Sequence, residues 1–377
     1  MKQRIAAIAL LAVGMILILT IASGNVNSML ENGETSNPME NSDSQSGGRE
    51  TGAQNGTGTG SGVKSNETEP VNPLTGLPIA KEAANRRPVA VMLNNVKQAM
   101  PQLGVSQADI IYEVPAEGGV TRMIALYQTL DGVGNLGSIR STRPYYLEIA
   151  LGHDALLVHA GGSNEAYRDI ASWGVDNMDG VRGQSDAKIF WRDQARRQSM
   201  GYEHSLLTSG EKIQAYLDEG HFRTERRAGY TYRQDFAADG TPSNGTDANK
   251  VEVKFSSYKT GVFEYDPDSG KYMIRQYGAA YTDGNSGKQV GVTNVLVLET
   301  AMTVLDQEGR LQVATTGFGK GTFFCGGKSI PIRWQKADRN SPFLYTLEGS
   351  SAPLVLGTGN SYVCLIDQKN ASVTVTE

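Results

Sequence analysis

The sequence predicts an α/β domain, a mixed sheet with helices, followed by a mainly antiparallel β domain. Three observations carry that expectation. From Pro88 onward, short apolar runs bounded by turn residues alternate with helix-spaced segments. Beyond about residue 250 the helical spacing stops and only strand-like alternation remains. Between the two, residues 237–249 read AADGTPSNGTDAN, the composition of a linker or exposed loop.

The elements follow in chain order. Lys2 and Arg4 precede Ile5 to Ala22, 18 residues without a charge, which at about 1.5 Å per residue can cross most of a bilayer. Residues 1–24 are therefore expected to form a membrane anchor with its basic flank in the cytoplasm, leaving the remainder on the extracytoplasmic face. The alternative is a signal peptide cleaved near Ala22 or Gly24, with the remainder exported. No cysteine lies near this segment, so an acylated-cysteine anchor is not expected. Residues 25–72 contain 28 Gly, Ser, Asn or Thr among 48, and the first aromatic side chain of the chain is Tyr112. So little apolar surface predicts a disordered tether.

Residues 73–236 form the α/β part. Val89 to Leu93, Ile110 to Val114, Met123 to Gln128 and Ala155 to Ala160 read as strands. Thr142 followed by Pro144 starts a helix to Leu151, Ser163 to Ser172 has helical spacing, and Thr208 with Glu211 has capping-box spacing for a helix to about Glu219. Residues 250–377 form the β-rich part. Its strand runs include Val251 to Ser256, Val292 to Leu298, Ser329 to Trp334 and Tyr362 to Ile366, with hairpin turns at 266–270 and 306–309.

Charge bounds the function classes. The chain carries a formal −5, of which residues 73–377 account for only −2, so binding of nucleic acid through bulk charge is not expected. Cationic side chains are unevenly divided: 14 Arg and 4 Lys in residues 73–236, against 4 Arg and 9 Lys in residues 250–377. Arginine suits bidentate contact with carboxylate or phosphate. The first part is thus the candidate binding face, unless its arginines pair internally.

Three motifs carry candidate chemistry. In IYEVPAEGGVTRMIALY, Glu113 and Glu117 stand four residues apart beside Gly118-Gly119 and Arg122, either as an acid/base pair or as a salt-bridged turn. Arg140 and Arg143 immediately precede a helix N-terminus, whose free amides favour an anion. LLVHAGGS places His159 at the end of a strand before Gly161, Gly162 and Ser163, a turn that could cradle an anion or simply cap the next helix. The expected ligand-binding set is Arg122, Arg140, Arg143, Gly161, Gly162 and Ser163, and the catalytic candidates are Glu113, Glu117, His159 and His204. No histidine has zinc-motif spacing, so no metal and no cofactor are expected. Cys325 and Cys364 are the only cysteines, and a disulfide between them is the expectation for an exported domain, with buried free thiols as the alternative.

RRPVAVMLNN, QADIIYEVPAEGGVTRMIALYQ, GSIRSTRPYYLEIALGHDALLVHAGGS, NVLVLET, GFGKGTFF and IRWQK together resemble the YerB-like family of bacterial cell-envelope proteins, over roughly residues 71 to 370. The resemblance implies an exported, usually lipid-anchored chain with a domain of unknown function and a second β-rich domain, without an assigned activity. Three features depart from it: the missing lipid-anchor cysteine, Tyr202-Glu203-His204-Ser205 in place of Ala-Pro-His-Asn, and Cys325. His204 still matches. The expected function is a membrane-tethered envelope protein that binds an anionic cell-wall polymer or an envelope protein through an arginine-rich crevice. A hydrolase or transferase acting on envelope glycan or anionic polymer is the alternative.

Overall fold

The computed structural model describes residues 69–377 apart from 184, 185, 231 and 233. The expected anchor (1–24) and all but the end of the tether (25–72) lie outside the described residues. The last tether residues belong to the fold: Val71 bridges Pro78, and buried Asn72 donates to Asp109 over 2.8 Å.

One eleven-stranded mixed sheet runs through both expected parts. Its strands are β1 (Val89–Asn94), β2 (Ile110–Pro115), β3 (Thr121–Tyr127), β4 (Leu156–His159), β5 (Asn177–Asp179), β6 (Thr246–Asp247), β7 (Asn294–Thr300), β8 (Gly317–Cys325), β9 (Lys328–Lys336), β10 (Leu344–Leu347) and β11 (Ser361–Asp367). They lie side by side as β6-β9-β8-β7-β11-β2-β3-β1-β4-β5, with β10 also on β9. Late strand β11 is parallel to both β7 and β2, pairing Ser361 with Ile110 and with Asn294. Strands β1, β4 and β5 are parallel, whereas β3 runs antiparallel to β1 and β2. The remaining pairs, β7-β8, β8-β9, β9-β10 and β9-β6, are antiparallel.

Two layers cover the sheet. A six-stranded antiparallel sheet, built on Lys250–Lys254, Thr260–Asp266, Lys271–Gln276 and Ser372–Thr376, contributes Val251, Val253, Phe263 and Ile274 to one core with Val91, Ile111, Met123, Val297 and Tyr362. Helix α1 (Pro144–Gly152) gives Tyr146, Leu147 and Ile149 to a second core with Ala90, Met92, Tyr112, Ile124 and Val363. Strand side chains alternate between the two cores, which is why the central strands read as unbroken apolar runs.

The helices start close to where the sequence places them. Pro144 opens α1, and Ser163 caps α2 (Asn164–Trp173) by accepting from the amide of Ala166 over 3.1 Å. For α3 (Gly210–Asp218) the cap is Ser209 rather than Thr208, whose hydroxyl donates to Ile189 O.

Two expectations need correction. Residues 237–249 are not a free linker: Asp235–Ala237 pairs with Val355–Gly357, β6 forms one edge of the main sheet, and Ala248 is fully buried. Cys325 and Cys364 are both buried free thiols. They lie on β8 and β11 with β7 between them, and their side chains enter opposite cores, so no rotamer can bring the sulfurs together. Among the described residues no helix is long and apolar enough to cross a membrane.

Candidate functional site

The parallel strands β1 and β4 end at a loop that the sequence marks by its arginines. Arg140 N donates to Met92 O, Ala160 N to Arg140 O, and Thr142 N to Gly161 O, each over 3.0 Å. These bonds stitch residues 140–142 across the strand ends. Arg140, Arg143 and the Gly161-Gly162-Ser163 turn thereby lie near the ends of β1 and β4, beside the buried His159.

The chain itself neutralises what it gathers there. Glu117 sits on the turn between β2 and β3, where Gly118 and Gly119 adopt positive φ (66° and 76°) that side chains rarely tolerate. From that turn its carboxylate accepts from Arg143 Nε and lies 3.2 Å from Arg122 Nη2. Burial alone would raise Glu117, but Arg122 and Arg143 outweigh it and hold the carboxyl below the usual range. Arg140 Nη2 lies 2.9 Å from the exposed Glu203. Asp179 fills the glycine turn, accepting from Gly161 N (2.8 Å), Val181 N (2.9 Å) and the Tyr167 hydroxyl (2.7 Å). Ser163 Oγ is occupied as the α2 cap.

The catalytic candidates disperse. Glu113 is fully buried on the side of the sheet that faces the small antiparallel sheet, bonded to Tyr362 and Thr121 and 3.2 Å from Lys259 Nζ. His159 is fully buried, its Nδ1 donating to Gly161 O (2.8 Å) and its Nε2 lying 3.0 Å from Asn177 Oδ1. His204, on a short 3-10 turn, pairs with Asn94 over 2.9 Å; burial, then the nearby Arg140, lowers its pKa. Glu113 and Glu117 therefore occupy separate surroundings rather than facing one substrate.

One open groove lies beside α1 and α2. This groove of about 340 Å³ is walled by Arg143, Tyr145 and Glu148 of the α1 region, by Ser163, Glu165, Arg168, Asp169 and Trp173 of the α2 region, and by Leu305 and Arg310 to Val313 of a hairpin from the β-rich part. That hairpin pairs Met302–Val304 with Leu311–Val313. Arg310 ties it to the helices, 3.5 Å from Glu165, while also pairing with Asp306 and Glu308. Arg168 is 70% exposed and lies 3.5 Å from its neighbour Asp169. Arg143 and Ser163 are the predicted residues that reach the groove. Arg168, Trp173 and Arg310 were missed, and only the helical spacing of Glu165, Arg168 and Asp169 on one face of α2 could have pointed there. Among the described residues no cluster of His, Cys, Asp or Glu could hold a metal.

Known proteins share this architecture. Residues 74–223 match the model described as the N-terminal domain of a protein of unknown function, DUF3048, and residues 251–363 match its C-terminal domain. The chain belongs to the DUF3048 family. It is 30% identical over 286 residues to "Putative lipoprotein YerB" of Bacillus subtilis (strain 168), spanning 76% of this chain and 83% of that one. The crystal structure of the Bacillus subtilis YerB protein superposes with a TM-score of 0.69 at 28% identity, covering 81% of this chain and 99% of that one. The resemblance first seen in the sequence motifs is thus shown for the family and for the fold.

Proposed function

We propose that this DUF3048 protein is an exported, membrane-tethered envelope protein that binds a glycan chain of the cell envelope in the groove beside α1 and α2. The observation that carries this reading is the groove's lining: Arg143, Arg168 and Arg310 are balanced by Glu148, Glu165 and Asp169, with Trp173 and Tyr145 among them. Balanced charge gives little long-range pull on a polyanion. Guanidinium and carboxylate groups side by side instead offer donors and acceptors for sugar hydroxyls, and the half-buried Trp173, which Arg339 overlies at 4.8 Å, adds apolar surface. The expected anionic polymer is therefore replaced by a mainly neutral, hydroxyl-rich strand. The name of the Bacillus subtilis relative supports the envelope location. Binding is favoured over hydrolysis because Glu113, Glu117, His159 and His204 are each engaged within the protein and do not face one ligand.

Sedimentation with purified cell-wall sacculi tests this reading. Binding is expected to survive chemical removal of the wall's anionic polymers and to weaken about tenfold, some 1.4 kcal/mol, in Arg168→Ala and in Trp173→Ala. Loss of binding on stripping would return the ligand to the anionic polymer. Unchanged affinity in both variants would remove the groove from the account.

A further inference from the structure

On the side of the main sheet that faces the small antiparallel sheet, Asn95, just after β1, Glu113, in β2, and Lys259, just before the strand Thr260–Asp266, meet fully buried. A single oxygen, Glu113 Oε1, accepts from Asn95 Nδ2 (2.9 Å) and Thr121 Oγ1 (2.6 Å) and lies 3.2 Å from Lys259 Nζ. Glu113 Oε2 accepts from the Tyr362 hydroxyl over 2.6 Å. Lys259 also donates to Gln276 Oε1, and its Nζ lies 4.9 Å from the centre of the Tyr277 ring. Gln102 Nε2 approaches Asn95 Oδ1 at 3.5 Å.

This is the set of groups that amide exchange requires. A buried amine is the nucleophile, an amide carbon is the electrophile, and one carboxylate touches both the attacking and the leaving nitrogen. Burial lowers the pKa of Lys259, with Glu113 pulling the other way, so its neutral amine lies closer to hand than that of a lysine in water. Water, the competing nucleophile, is excluded by Met123, Phe263, Tyr281 and Tyr362 of the surrounding core. Gln276 also touches the amine, but its Nε2 has no partner to protonate it as it leaves, whereas Nδ2 of Asn95 rests on Glu113.

We propose that Lys259 and Asn95 join in an intramolecular isopeptide bond with Glu113 as the catalytic proton carrier. Nζ attacks Cγ of Asn95, the Cγ–Nδ2 bond breaks, and Glu113 takes a proton from Nζ and delivers it to Nδ2, which departs as ammonia. The exchange balances without an oxidant or a second reactant. Asn95 lies within the N-terminal family match and Lys259 within the C-terminal one, so the bond would weld the two.

Peptide mapping of the denatured full-length protein by tandem mass spectrometry decides the matter. The expected result is a branched peptide joining the segments of Asn95 and Lys259, lighter than their sum by one ammonia, with little of either segment left unlinked. Lys259→Arg and Glu113→Gln are expected to yield only separate peptides, and a branched product in Glu113→Gln would remove Glu113 from the chemistry. Separate, unmodified peptides from the wild-type protein, or a branch at Gln276, would overturn the proposal whether or not either variant folds.

Discussion

Glu113 and Glu117 are four residues apart in sequence and meet the same kind of partner, a cation, under opposite conditions. Glu113 and Lys259 are sealed between two sheets, while Glu117 sits on a rim turn with Arg122 and Arg143, its side chain 19% exposed. Inside, removal of one partner leaves a charge with no water to receive it. At the rim, solvent and a second arginine absorb the loss. The contrast teaches that location relative to the sheet, rather than the identity of the pair, decides whether a carboxylate holds the fold together or can be altered without losing it.

The largest expected effect breaks the sealed pair. Glu113→Ala leaves Lys259 without its counter-charge and Asn95, Thr121 and Tyr362 without their shared acceptor. Urea unfolding should register a loss of about 3–5 kcal/mol or failure to fold. A variant as stable as the wild type would show that the buried pair contributes nothing.

Acid sharpens the comparison from the other side of the sheet. His153 is fully buried on the α1 side, with Tyr112 OH 2.8 Å from Nε2, and burial, aided by Arg226 and Lys336, lowers its pKa from 6.5 to about 3. Below pH 6.5 the unfolded chain takes up a proton that the folded chain refuses. Stability should therefore fall as pH drops from 6.5 toward 3, by on the order of 5 kcal/mol at the limit. His153→Phe should flatten that slope even though it starts from a less stable protein. Parallel slopes for the two proteins, from unfolding midpoints between pH 7 and 4, would assign the acid sensitivity elsewhere.

At the rim the effects shrink. Arg143→Ala removes one of the two arginines on Glu117 and should cost about 1–2 kcal/mol, because Arg122 remains. Arg140→Ala, whose partner Glu203 is 68% exposed, should cost under about 1 kcal/mol. Thermal melts of both read the order directly, and a larger loss for Arg140 would reverse the picture of which arginine is built in.

Local pattern told much of the fold. Apolar runs located β1 to β4, and Pro144 and Ser163 located the starts of α1 and α2, because strands and caps leave signals within a few residues. Partner choice in a sheet leaves none. Nothing near Tyr362 announces that it will lie between Ile111 and Val295, so the two parts were legible but not the sheet that joins them. The disulfide expectation failed for the same reason, since the face each cysteine enters depends on strand register. Lys259, in a polar SSYK turn, reads as a solvent-facing residue. The signal that could have exposed its role was Glu113, a charge at the same parity as Ile111 inside an otherwise apolar strand. At the rim the arginines were legible but their neutralisers were not, because Glu203 and Asp179 arrive from distant segments.

The place of β11 also governs the order in which the protein can mature. Until residues 361–367 have emerged, β2 lacks its neighbour on one side, and the strands before it present an open edge. A chain made from its N-terminal end thus supplies β11 only after the more than two hundred residues that separate it from β2. Such long-range closure is slow compared with local pairing. During that interval the β2 edge is open to an errant strand of another copy, and loss of β11 by proteolysis would reopen the sheet at its middle rather than trim its end.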